Sequence, residues 1–415
     1  MAALPVDRSP DSTLAFLRAG YRFIGERCDR YDSDAFQTRI LLTPTICLRG
    51  RSAAALFYDP DRFQRRNAMP LRVQRTLTGR GGVQGLDGPR HADRKAMFMS
   101  IMTSDNIRRL GQLFDDEWRI RIPAWEAAGP VRLYDEMGRL LTQVVCAWAG
   151  VPLATSQIDS RAVELHAMIE GPAMVGPRHW RGLLARRRAE RWIGDLVERA
   201  RVGTHPASPG SALQVIAEHR DARGSLLPRR VAAVELLNVL RPVVAVDRYV
   251  TFAALALHDH PAWQQRARDS DEATGQFVQE VRRYYPFFPS AAARVRRSFD
   301  WEGHHFPRGR RVLLDLYGTN HHPTLWPEPE LFRPERFADR RVDPFELIPQ
   351  GGGDFFAGHR CAGEWITIDL MKRAVTNLTS AMTYDVPPQD LRLDLRQMPA
   401  LPPSGMTLTA VRRAT

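Results

Sequence analysis

The sequence predicts a mainly α-helical fold with small β-sheets and one long central helix. Most of the chain carries apolar residues at helical spacing, whereas strand patterns are short and lie in its last third. One helical pattern, residues 229–258, is long enough to cross a whole domain, at roughly 45 Å for about 30 residues. The 415 residues, 44% of them apolar, can bury a sizeable core. Because no linker divides the chain, we expect a single domain over residues 1–415.

The boundaries of the other helices follow from capping residues, glycine and proline breakers, and charges four residues apart. Asp11 or Ser12 can cap a first helix that runs to Arg22. Gly129 and Gly150 end two later helices, and a segment rich in Pro, Ser and Gly predicts a loop at 203–210. The helices predicted ahead of the central one cover residues 11–22, 93–102, 104–128, 133–148 and 180–201.

The predicted central helix has few charged residues after its first two, namely Glu235, Arg241, Asp247 and Arg248. A helix of this length and composition should be mostly buried. Pro242 lies inside it and removes one backbone hydrogen bond, so we expect a kink there that frees a carbonyl group and opens local space.

Strand patterns occur in two places. Residues 293–301 and 311–316, joined by a glycine-containing loop, predict a hairpin, and residues 382–386 and 406–412 predict two late strands. These strands are too few for a large sheet, so they predict only small sheets beside the helices.

Composition excludes several classes of protein. The 59 Lys and Arg residues against 47 Asp and Glu residues give a net charge of +12. The arginines are scattered, and no nucleic-acid-binding motif accompanies them, so we prefer a basic, solvated exterior to a nucleic-acid partner. Four distant cysteines without a CxxC pair argue against a disulfide framework and against structural zinc. No signal-peptide pattern or membrane span is visible, so we expect a cytoplasmic protein.

The densest chemical signal is the glycine-rich segment 350–364, which delivers Cys361 to the start of a helix predicted at 364–378. A helix N-terminus stabilises a thiolate, and the surrounding glycines allow close approach of a flat ligand. His359 and Arg360 supply donor groups beside it. No second Cys or His stands at metal-ligand spacing, so the thiolate suits a metal whose other ligands are not protein, with haem iron as the main example. A buried structural cysteine and a nucleophilic cysteine remain alternatives.

A second motif is Glu280 with Arg283, which share one helix face and can form a bidentate ion pair. Alone, this ExxR pattern usually means a surface pair. Here it precedes the sequence RPERF at 333–337, and that segment precedes the cysteine loop. The order of the three motifs gives the pattern its specificity.

In these three motifs the chain resembles the cytochrome P450 (haem-thiolate) superfamily. The resemblance covers essentially the whole chain and implies a triangular, mostly helical fold with haem b as cofactor and Cys361 as the axial thiolate of its iron. It also implies that Glu280, Arg283 and Arg336 hold the region behind the haem. Lys95 stands where the family more often has Arg. The residues that fall where the family places partners of the haem propionates are His91, Lys95, Arg294 and His359.

The central helix lacks the acid–alcohol pair that monooxygenase members of the superfamily use to deliver protons. Arg241 and Pro242 stand in the corresponding stretch. A buried Arg cannot lose its proton and needs an anion, for which a substrate carboxylate is the natural candidate. Glu235 and Asp247 are internal alternatives, but each lies six residues away and faces another direction. Arg248 shares the face of Arg241, and the sequence leaves open whether it binds a second anion or a surface acid.

The Arg-Pro pair, the glycine insertion before Cys361, the sequence at 358–365 and the segment VGPRHW at 175–180 together resemble the fatty-acid peroxygenase branch. This resemblance implies hydrogen peroxide as oxidant, no obligatory redox partner, and a substrate carboxylate that is held by Arg241 and acts as acid–base beside Pro242. Gln84 matches the position where hydroxylating members carry Gln and the decarboxylating type carries His. We therefore expect hydroxylation of long-chain fatty acids at the α or β carbon, with decarboxylation to terminal alkenes as the alternative.

The predicted pocket wall contains Leu77, Thr78, Phe287 and Ser290. Thr78 and Ser290 are smaller than the residues that the branch often has there, so both should widen the pocket or make it more polar. Core packing is the alternative explanation for Leu77 and Phe287. The two neighbouring histidine pairs, 304–305 and 321–322, are interpreted as exposed loop residues, since adjacent residues rarely point at one metal ion.

Two other functions remain open at this point. A reductase-dependent monooxygenase of the same fold would be inactive with peroxide alone. A haem- or lipid-binding protein without turnover would give a haem spectrum and a fatty-acid-induced shift but no product.

Overall fold

A computed structural model describes residues 4–172, 176–205 and 207–414 of the chain, and most of them are helical. The central pair of helices is surrounded by the longer helices of the N-terminal half and by the helix that follows Cys361. In the described part of the chain the α-helices are α1 Thr13–Ala19, α2 Phe23–Tyr31, α3 Arg51–Phe57, α4 Leu71–Val73, α5 Gly88–Ile101, α6 Ser104–Ala128, α7 Leu133–Ala149, α8 Ile158–Glu170, α9 Pro177–Arg201, α10 Ala212–Glu218, α11 Arg229–Val244, α12 Val246–Asp259, α13 Ala262–Asp269, α14 Asp271–Tyr284, α15 Leu316–Asn320 and α16 Glu364–Thr376.

Three small sheets accompany the helices. The largest has the strand order β1-β2-β8-β5-β3, in which β2 and β8 are parallel and the other neighbours are antiparallel. The others are β4-β10-β9 and the hairpin β6-β7. The strands are β1 Ala35–Ile40, β2 Thr43–Leu48, β3 Phe63–Gln64, β4 Val131–Arg132, β5 Ser290–Val295, β6 Phe299–Trp301, β7 His304–Phe306, β8 Arg311–Asp315, β9 Met382–Asp385 and β10 Thr407–Arg413.

Local capping chemistry sets several helix ends where the sequence predicts them. Helix α6 spans Ser104–Ala128; the Thr103 side chain caps it by accepting a hydrogen bond from the backbone of Asn106 at 3.3 Å, and Gly129 ends it. Gly150 ends α7 with the left-handed φ of 76° that favours glycine. The first predicted helix is shorter than expected, because α1 ends at Ala19 and a 3-10 turn follows.

The prediction of one long central helix is wrong, because the helix is interrupted at Ala245, between α11 and α12. Pro242 lies inside α11, three residues before the interruption. The missing N–H of Pro242 weakens the hydrogen-bond ladder there, and the irregularity is taken up at the next turn. The prediction that this region is buried is confirmed, since nearly every residue of α11 and α12 after the first turn is buried.

The predicted strand pairing is confirmed in outline and refined in detail. Strands β5 and β8 pair antiparallel, but the loop between them contains a second hairpin, β6-β7, where the sequence predicts one continuous strand. Strands β1 and β2 were not predicted at all. Their residues alternate poorly between apolar and polar, so the periodicity that predicts strands is absent there.

Two further predictions need correction or lie outside the described residues. His321 and His322 are not exposed loop residues: they are buried, and His322 Nε2 contacts the Asp34 carboxylate at 3.1 Å. His304 and His305 lie in β7 and not in a loop; His304 is half-buried, whereas His305 is exposed, as expected, and pairs with Asp300. Of the segment 175–180, Val175 lies outside the described residues. Helix α9 begins at Pro177, ahead of the prediction.

The main core cluster joins the central helices to α6, α7 and α16, and it places the cysteine loop at the edge of this helical core. None of the described helices is both long enough and apolar enough to cross a bilayer.

Candidate active site

Cys361 lies between a glycine turn and the start of α16. Gly351 has a φ of 91°, and a side chain there would meet the Tyr58 hydroxyl at 2.9 Å, so this turn requires glycine. The Cys361 backbone N–H donates to the Gln350 carbonyl at 3.2 Å, and the Gln350 amide nitrogen lies 4.0 Å from Sγ. Burial raises the pKa of the Cys361 thiol, against the lowering effect of the Gly363 N–H at the helix start. The helix N-terminus therefore favours the thiolate as predicted, but the effect of burial on the thiol pKa is larger.

Three of the four predicted propionate partners lie together beside this loop. The rings of His91 and His359 are 3.8 Å apart, and Lys95 Nζ donates to the Arg360 carbonyl at 2.6 Å. Burial lowers the pKa of His91 to about 4 and also lowers the pKa values of Lys95 and His359. Among the described residues, no carboxylate oxygen lies within 4.0 Å of these three side chains. The group therefore offers one buried cation, Lys95, and two imidazoles whose lowered pKa values leave them neutral near pH 7.

Arg294, the fourth predicted partner, is not brought to this group. Its guanidinium donates to the backbone carbonyls of Asn67 at 2.6 Å and Gly309 at 2.8 Å. A residue that the sequence reasoning missed, Arg65, takes the place beside His359. Arg65 is 7% exposed, its Nη1 has no hydrogen-bond partner among the described residues, and burial lowers its pKa to about 10. No local sequence signal distinguishes Arg65 from the chain's other arginines.

The ExxR pair is buried and bidentate, as the spacing allows. Arg283 Nε and Nη2 each donate to the Glu280 carboxylate at 2.7 Å, and both side chains are fully buried. Arg336 Nε adds a third contact to Glu280 at 3.2 Å. A separate pair of arginines, Arg282 and Arg360, holds Glu364 at the first turn of α16. These ion pairs hold together the backbone segments that support the cysteine loop.

Arg241 is buried, at 5% exposure, and has no carboxylate partner. Its Nη1 donates to the Leu77 carbonyl and, at 3.2 Å, to the Asn238 side-chain oxygen. No carboxylate oxygen in the described part of the chain lies within 4.0 Å of the guanidinium. Burial lowers the pKa of Arg241 to about 9, and the nearby positive charge of Arg186 lowers it further, while the Cys361 thiolate acts in the opposite direction. Glu235 and Asp247, the internal alternatives to a substrate carboxylate as partner of Arg241, are excluded because each contacts other side chains.

Glu235 belongs to a hydrogen-bond chain that reaches Arg241 through one amide. Its carboxylate accepts from Arg94 at 2.5 Å and from the Asn238 amide nitrogen at 3.0 Å. That amide nitrogen also lies 3.3 Å from the Gln84 side-chain oxygen, to which it donates. Asn238 therefore connects both predicted catalytic side chains, Gln84 and Arg241. Helical spacing places Asn238 one turn before Arg241, a signal that could have found it.

The Leu77 carbonyl accepts from two guanidinium groups, because Arg186 Nη1 also donates to it at 2.9 Å. Leu77 and Thr78 end a π-helical turn over Gln74–Thr78, and both side chains are half-buried. The structure thus brings Leu77 to Arg241 through its backbone. Arg186 was missed, since its contact with Leu77 joins segments 109 residues apart.

Phe287 and Ser290 follow α14, near the start of β5. The Phe287 ring stacks on Tyr249 with centroids 4.2 Å apart, and its carbonyl accepts from the Tyr21 hydroxyl at 2.8 Å. Ser290 is the half-buried first residue of β5. Phe287 also packs against the main core, and its role as a pocket wall residue stays a prediction.

The open question about Arg248 is answered by internal acids. Its Nη2 lies 3.3 Å from Glu170 and its Nη1 lies 3.6 Å from Asp247, while its guanidinium lies over the Tyr134 ring. Asp247 also accepts a hydrogen bond from His166. Arg248 therefore differs from Arg241, whose charge has no acid beside it.

The donor set fits haem. One cysteine thiol stands alone, since no three His, Cys, Asp or Glu side chains in the described residues could hold a metal ion by themselves. Beside it lie two buried cations, Lys95 and Arg65, which make no ion pair with a carboxylate within the described residues, where Arg65 Nη1 also has no hydrogen-bond partner. A single thiolate with nearby cations suits an iron whose other ligands come from a porphyrin, and the cations suit its carboxylates. Fold and site together define a haem-thiolate oxidoreductase.

Comparison with known proteins agrees. The family model described as cytochrome P450 matches residues 255–409. The solved structure of a variant of cytochrome P450SP alpha (CYP152B1) is 49% identical, with a TM-score of 0.96 over 98% of this chain and 100% of that one. Cytochrome P450EX alpha (CYP152N1) with myristic acid is 44% identical, with a TM-score of 0.97 over 100% of both chains. Ligand-free cytochrome P450 OleT is 36% identical, with a TM-score of 0.97 over 99% of both chains.

Curated relatives match over shorter stretches. Cytochrome P450 71A8 of Mentha piperita is 32% identical over 30% of this chain and 25% of its own length. Taxane 10-beta-hydroxylase of Taxus cuspidata is 26% identical over 58% of this chain and 53% of its own length. The chain thus spans about a quarter to half of the length of these relatives. The full-length structural matches decide the family: the chain belongs to the cytochrome P450 family and resembles its CYP152 peroxygenases throughout. The predictions of the fold, of the family and of haem as cofactor are confirmed.

Proposed function

We propose that this enzyme uses hydrogen peroxide to hydroxylate long-chain fatty acids at the α or β carbon, with the substrate carboxylate held by Arg241. The observation that carries the proposal is the buried Arg241 guanidinium, which has no carboxylate partner among the residues that the structure describes. A buried cation of this kind needs an anion, and a carboxylate fits its planar fork. One of the similar structures contains myristic acid, a fatty acid.

The surroundings of Arg241 support an oriented anchor. The Leu77 carbonyl and the Asn238 side-chain oxygen hold one terminal nitrogen, Nη1, and leave the other nitrogens of the guanidinium for a ligand. Asn238 is in turn fixed by Glu235 at 3.0 Å and by Gln84 at 3.3 Å. A guanidinium that is held before binding loses less conformational freedom when the acid arrives.

The same carboxylate supplies the acid–base group that the central helix lacks. Arg241 cannot release a proton, and the next residue, Pro242, has no side-chain proton to give. A carboxylate oxygen held by Arg241 can accept a proton of hydrogen peroxide and return it, the role that an acid–alcohol pair otherwise fills. This arrangement makes the substrate part of the catalytic machinery, so molecules without a carboxylate should not be oxidised.

Anchoring the carboxylate also selects the carbon. Haem held by Cys361, with Arg65, His91, Lys95 and His359 as partners of its propionates, would supply the oxidising centre. Arg241 lies near enough to Cys361 for their charges to interact, so an acid held by Arg241 would present its first carbons to an oxidising centre bound at Cys361. The Asn238 contact holds Gln84 in place beside Arg241, and Gln84 favours hydroxylation over decarboxylation.

Product analysis tests the proposal. The purified holoenzyme is incubated with hydrogen peroxide and a long-chain fatty acid, without any reductase, and the products are identified by mass spectrometry. We expect hydroxy acids oxidised at the α or β carbon, and no product from the methyl ester of the same acid. Terminal alkenes as the main product would show that the enzyme decarboxylates the acid and does not mainly hydroxylate it. Turnover that occurs only with an electron donor and a reductase would assign a monooxygenase.

A further inference from the structure

The turn between β1 and β2 has an unusual sequence for its shape. Ile40 pairs with Thr43, so Leu41 and Leu42 form a two-residue hairpin turn, with φ values of 54° and 55°. A turn with two left-handed residues strongly favours Asn and Gly, because a branched side chain is strained there. Two leucines in this conformation break the local rule, and such departures often mark a functional surface.

These leucines are exposed and rigidly presented. Leu42 is 77% exposed and Leu41 42%, and Leu14 on the adjacent helix α1 is 57% exposed. The Leu41 N–H donates to the Thr13 hydroxyl at 2.6 Å, and the Leu42 N–H donates to the Asp11 carboxylate at 2.7 Å. We call Leu14, Leu41 and Leu42 the leucine tip. Its apolar side chains point into water from a fixed position.

The sheet places a set of arginines around this tip. Strand β8 runs parallel to β2, with Arg311 opposite Thr45, so the residues just before Arg311 lie at the same end of the sheet as the tip. The Val295 N–H donates to the Arg310 carbonyl at 2.9 Å, which brings the residues after β5 to that end as well. We call this set the basic edge; its members, exposed except for the half-buried Arg310, are Arg39, Arg296, Arg297, Arg308 and Arg310.

Few acids offset the basic edge. Asp87 lies 4.0 Å from Arg296 and also accepts hydrogen bonds from the backbone of Arg65 and Arg66. Asp11 lies at the turn, where its carboxylate accepts from the Leu42 N–H. Against these two acids the five arginines of the basic edge leave the surface beside the tip with a net positive charge.

We propose that the leucine tip and the basic edge form a docking surface for an anionic phospholipid bilayer. The leucines can enter the interfacial hydrocarbon while the arginines contact lipid phosphates, a combination that holds proteins at membrane surfaces reversibly. A nucleic acid would satisfy the arginines but leave the leucines in water. A second copy docked through the same face would oppose two basic edges, and their repulsion disfavours it. This proposal does not rest on the proposed reaction.

Vesicle flotation with the full-length holoenzyme tests the proposal. The vesicles contain either phosphatidylcholine alone or equal parts of phosphatidylcholine and phosphatidylglycerol. The double variant Leu41→Asn/Leu42→Gly gives the turn the residues that it favours, so the variant should fold at least as well as the parent protein. We expect the parent to float with the anionic vesicles and the variant to partition about tenfold or more weakly, from the loss of two leucine side chains.

Two further variants separate the tip from general charge. Ile120→Asn removes an apolar side chain that is 69% exposed on α6, away from the tip, and should leave flotation unchanged. Arg39→Gln with Arg308→Gln should weaken flotation with anionic vesicles and make it less sensitive to salt. Equal flotation of the parent and the tip variant would overturn the proposal, as would no flotation of the parent. Self-association of the parent that the tip variant loses, without vesicles, would instead assign the tip to a second copy.

Discussion

Arg241 stores an unfavourable charge in the substrate-free enzyme. Its partners are one carbonyl and one amide oxygen, and neither neutralises a guanidinium. Burial lowers the pKa of Arg241 to about 9. A lowered pKa means that the folded protein disfavours the charged form of this side chain. A fatty acid that supplies a carboxylate would remove this cost. Part of its binding free energy would therefore come from neutralising Arg241.

Arg241→Leu should therefore raise the free energy of unfolding of the ligand-free protein by about 1 kcal/mol. The Leu77 carbonyl keeps a donor in this variant, because Arg186 still contacts it at 2.9 Å. Denaturant unfolding measures the change. Arg94→Leu is the matched control, since it strands the buried Glu235 carboxylate and should lower stability by about 3 kcal/mol. A loss of stability in Arg241→Leu as large as in the control would show that Arg241 is not strained.

At the scale of the element, the interruption of the central helix shapes the site. Pro242 cannot donate to the carbonyl of Asn238, the residue whose side chain contacts Arg241. Helix α11 ends two residues after Pro242, at Val244, and α12 starts in the next turn. The proline thus sets the local geometry of the helix that carries the anchor.

Pro242→Ala restores the missing N–H, so it should raise the free energy of unfolding by roughly 1 kcal/mol and weaken fatty-acid binding as Arg241 shifts. Thermal unfolding and the fatty-acid-induced change in the haem spectrum measure the two effects. Pro123→Ala in α6 is the control, because Pro123 lies inside a helix remote from Arg241. The control should gain stability with unchanged affinity. Unchanged affinity in Pro242→Ala as well would remove Pro242 from the site.

At the scale of the whole molecule, a buried acid in the main sheet should make stability depend on pH. Burial raises the pKa of Asp315 from 3.8 to about 7, although its carboxylate accepts a hydrogen bond from the Gly318 N–H at 2.7 Å. The folded protein therefore holds a proton that the unfolded chain has released. Stability contributed by this proton is full below about pH 4 and is lost as the pH rises towards 7.

The parent should lose up to about 4 kcal/mol of its free energy of unfolding between pH 4 and pH 7 through Asp315, and Asp315→Asn should remove this loss. The difference in free energy of unfolding between parent and variant, followed across that range, is the measurement. Asp61→Asn alters an exposed surface acid and should leave the pH profile unchanged between pH 4 and pH 7. Parallel profiles of the parent and Asp315→Asn would contradict the assignment.

The sequence predicted what local chemistry decides. Helix α6 was predicted at its full length because apolar residues keep helical spacing up to a breaking glycine, Gly129. The cysteine loop and the ExxR pair were found because each is a short motif, and the structure shows the pair buried at 0% exposure. The arginine of the central helix was found because a buried charge stands out in an apolar run.

Long-range contacts were out of reach. Arg186 meets Leu77 across 109 residues, and Arg65 joins His359 only through the fold. The interruption at Ala245 falls three residues after Pro242, because packing decides where a weakened helix bends. Arg294 was carried over from family resemblance; its Nε and Nη1 donate to backbone carbonyls, and its contact with a propionate stays a prediction.

The claim that the rest depends on is that the charge of Arg241 is reserved for a substrate carboxylate. Its most direct test is a cycle of four binding affinities, read from the haem spectrum, for a long-chain fatty acid and its methyl ester with the parent enzyme and with Arg241→Gln. The account predicts that the variant loses about a hundredfold or more in affinity for the acid and little for the ester. Equal losses for both ligands, or no loss for either, would contradict it.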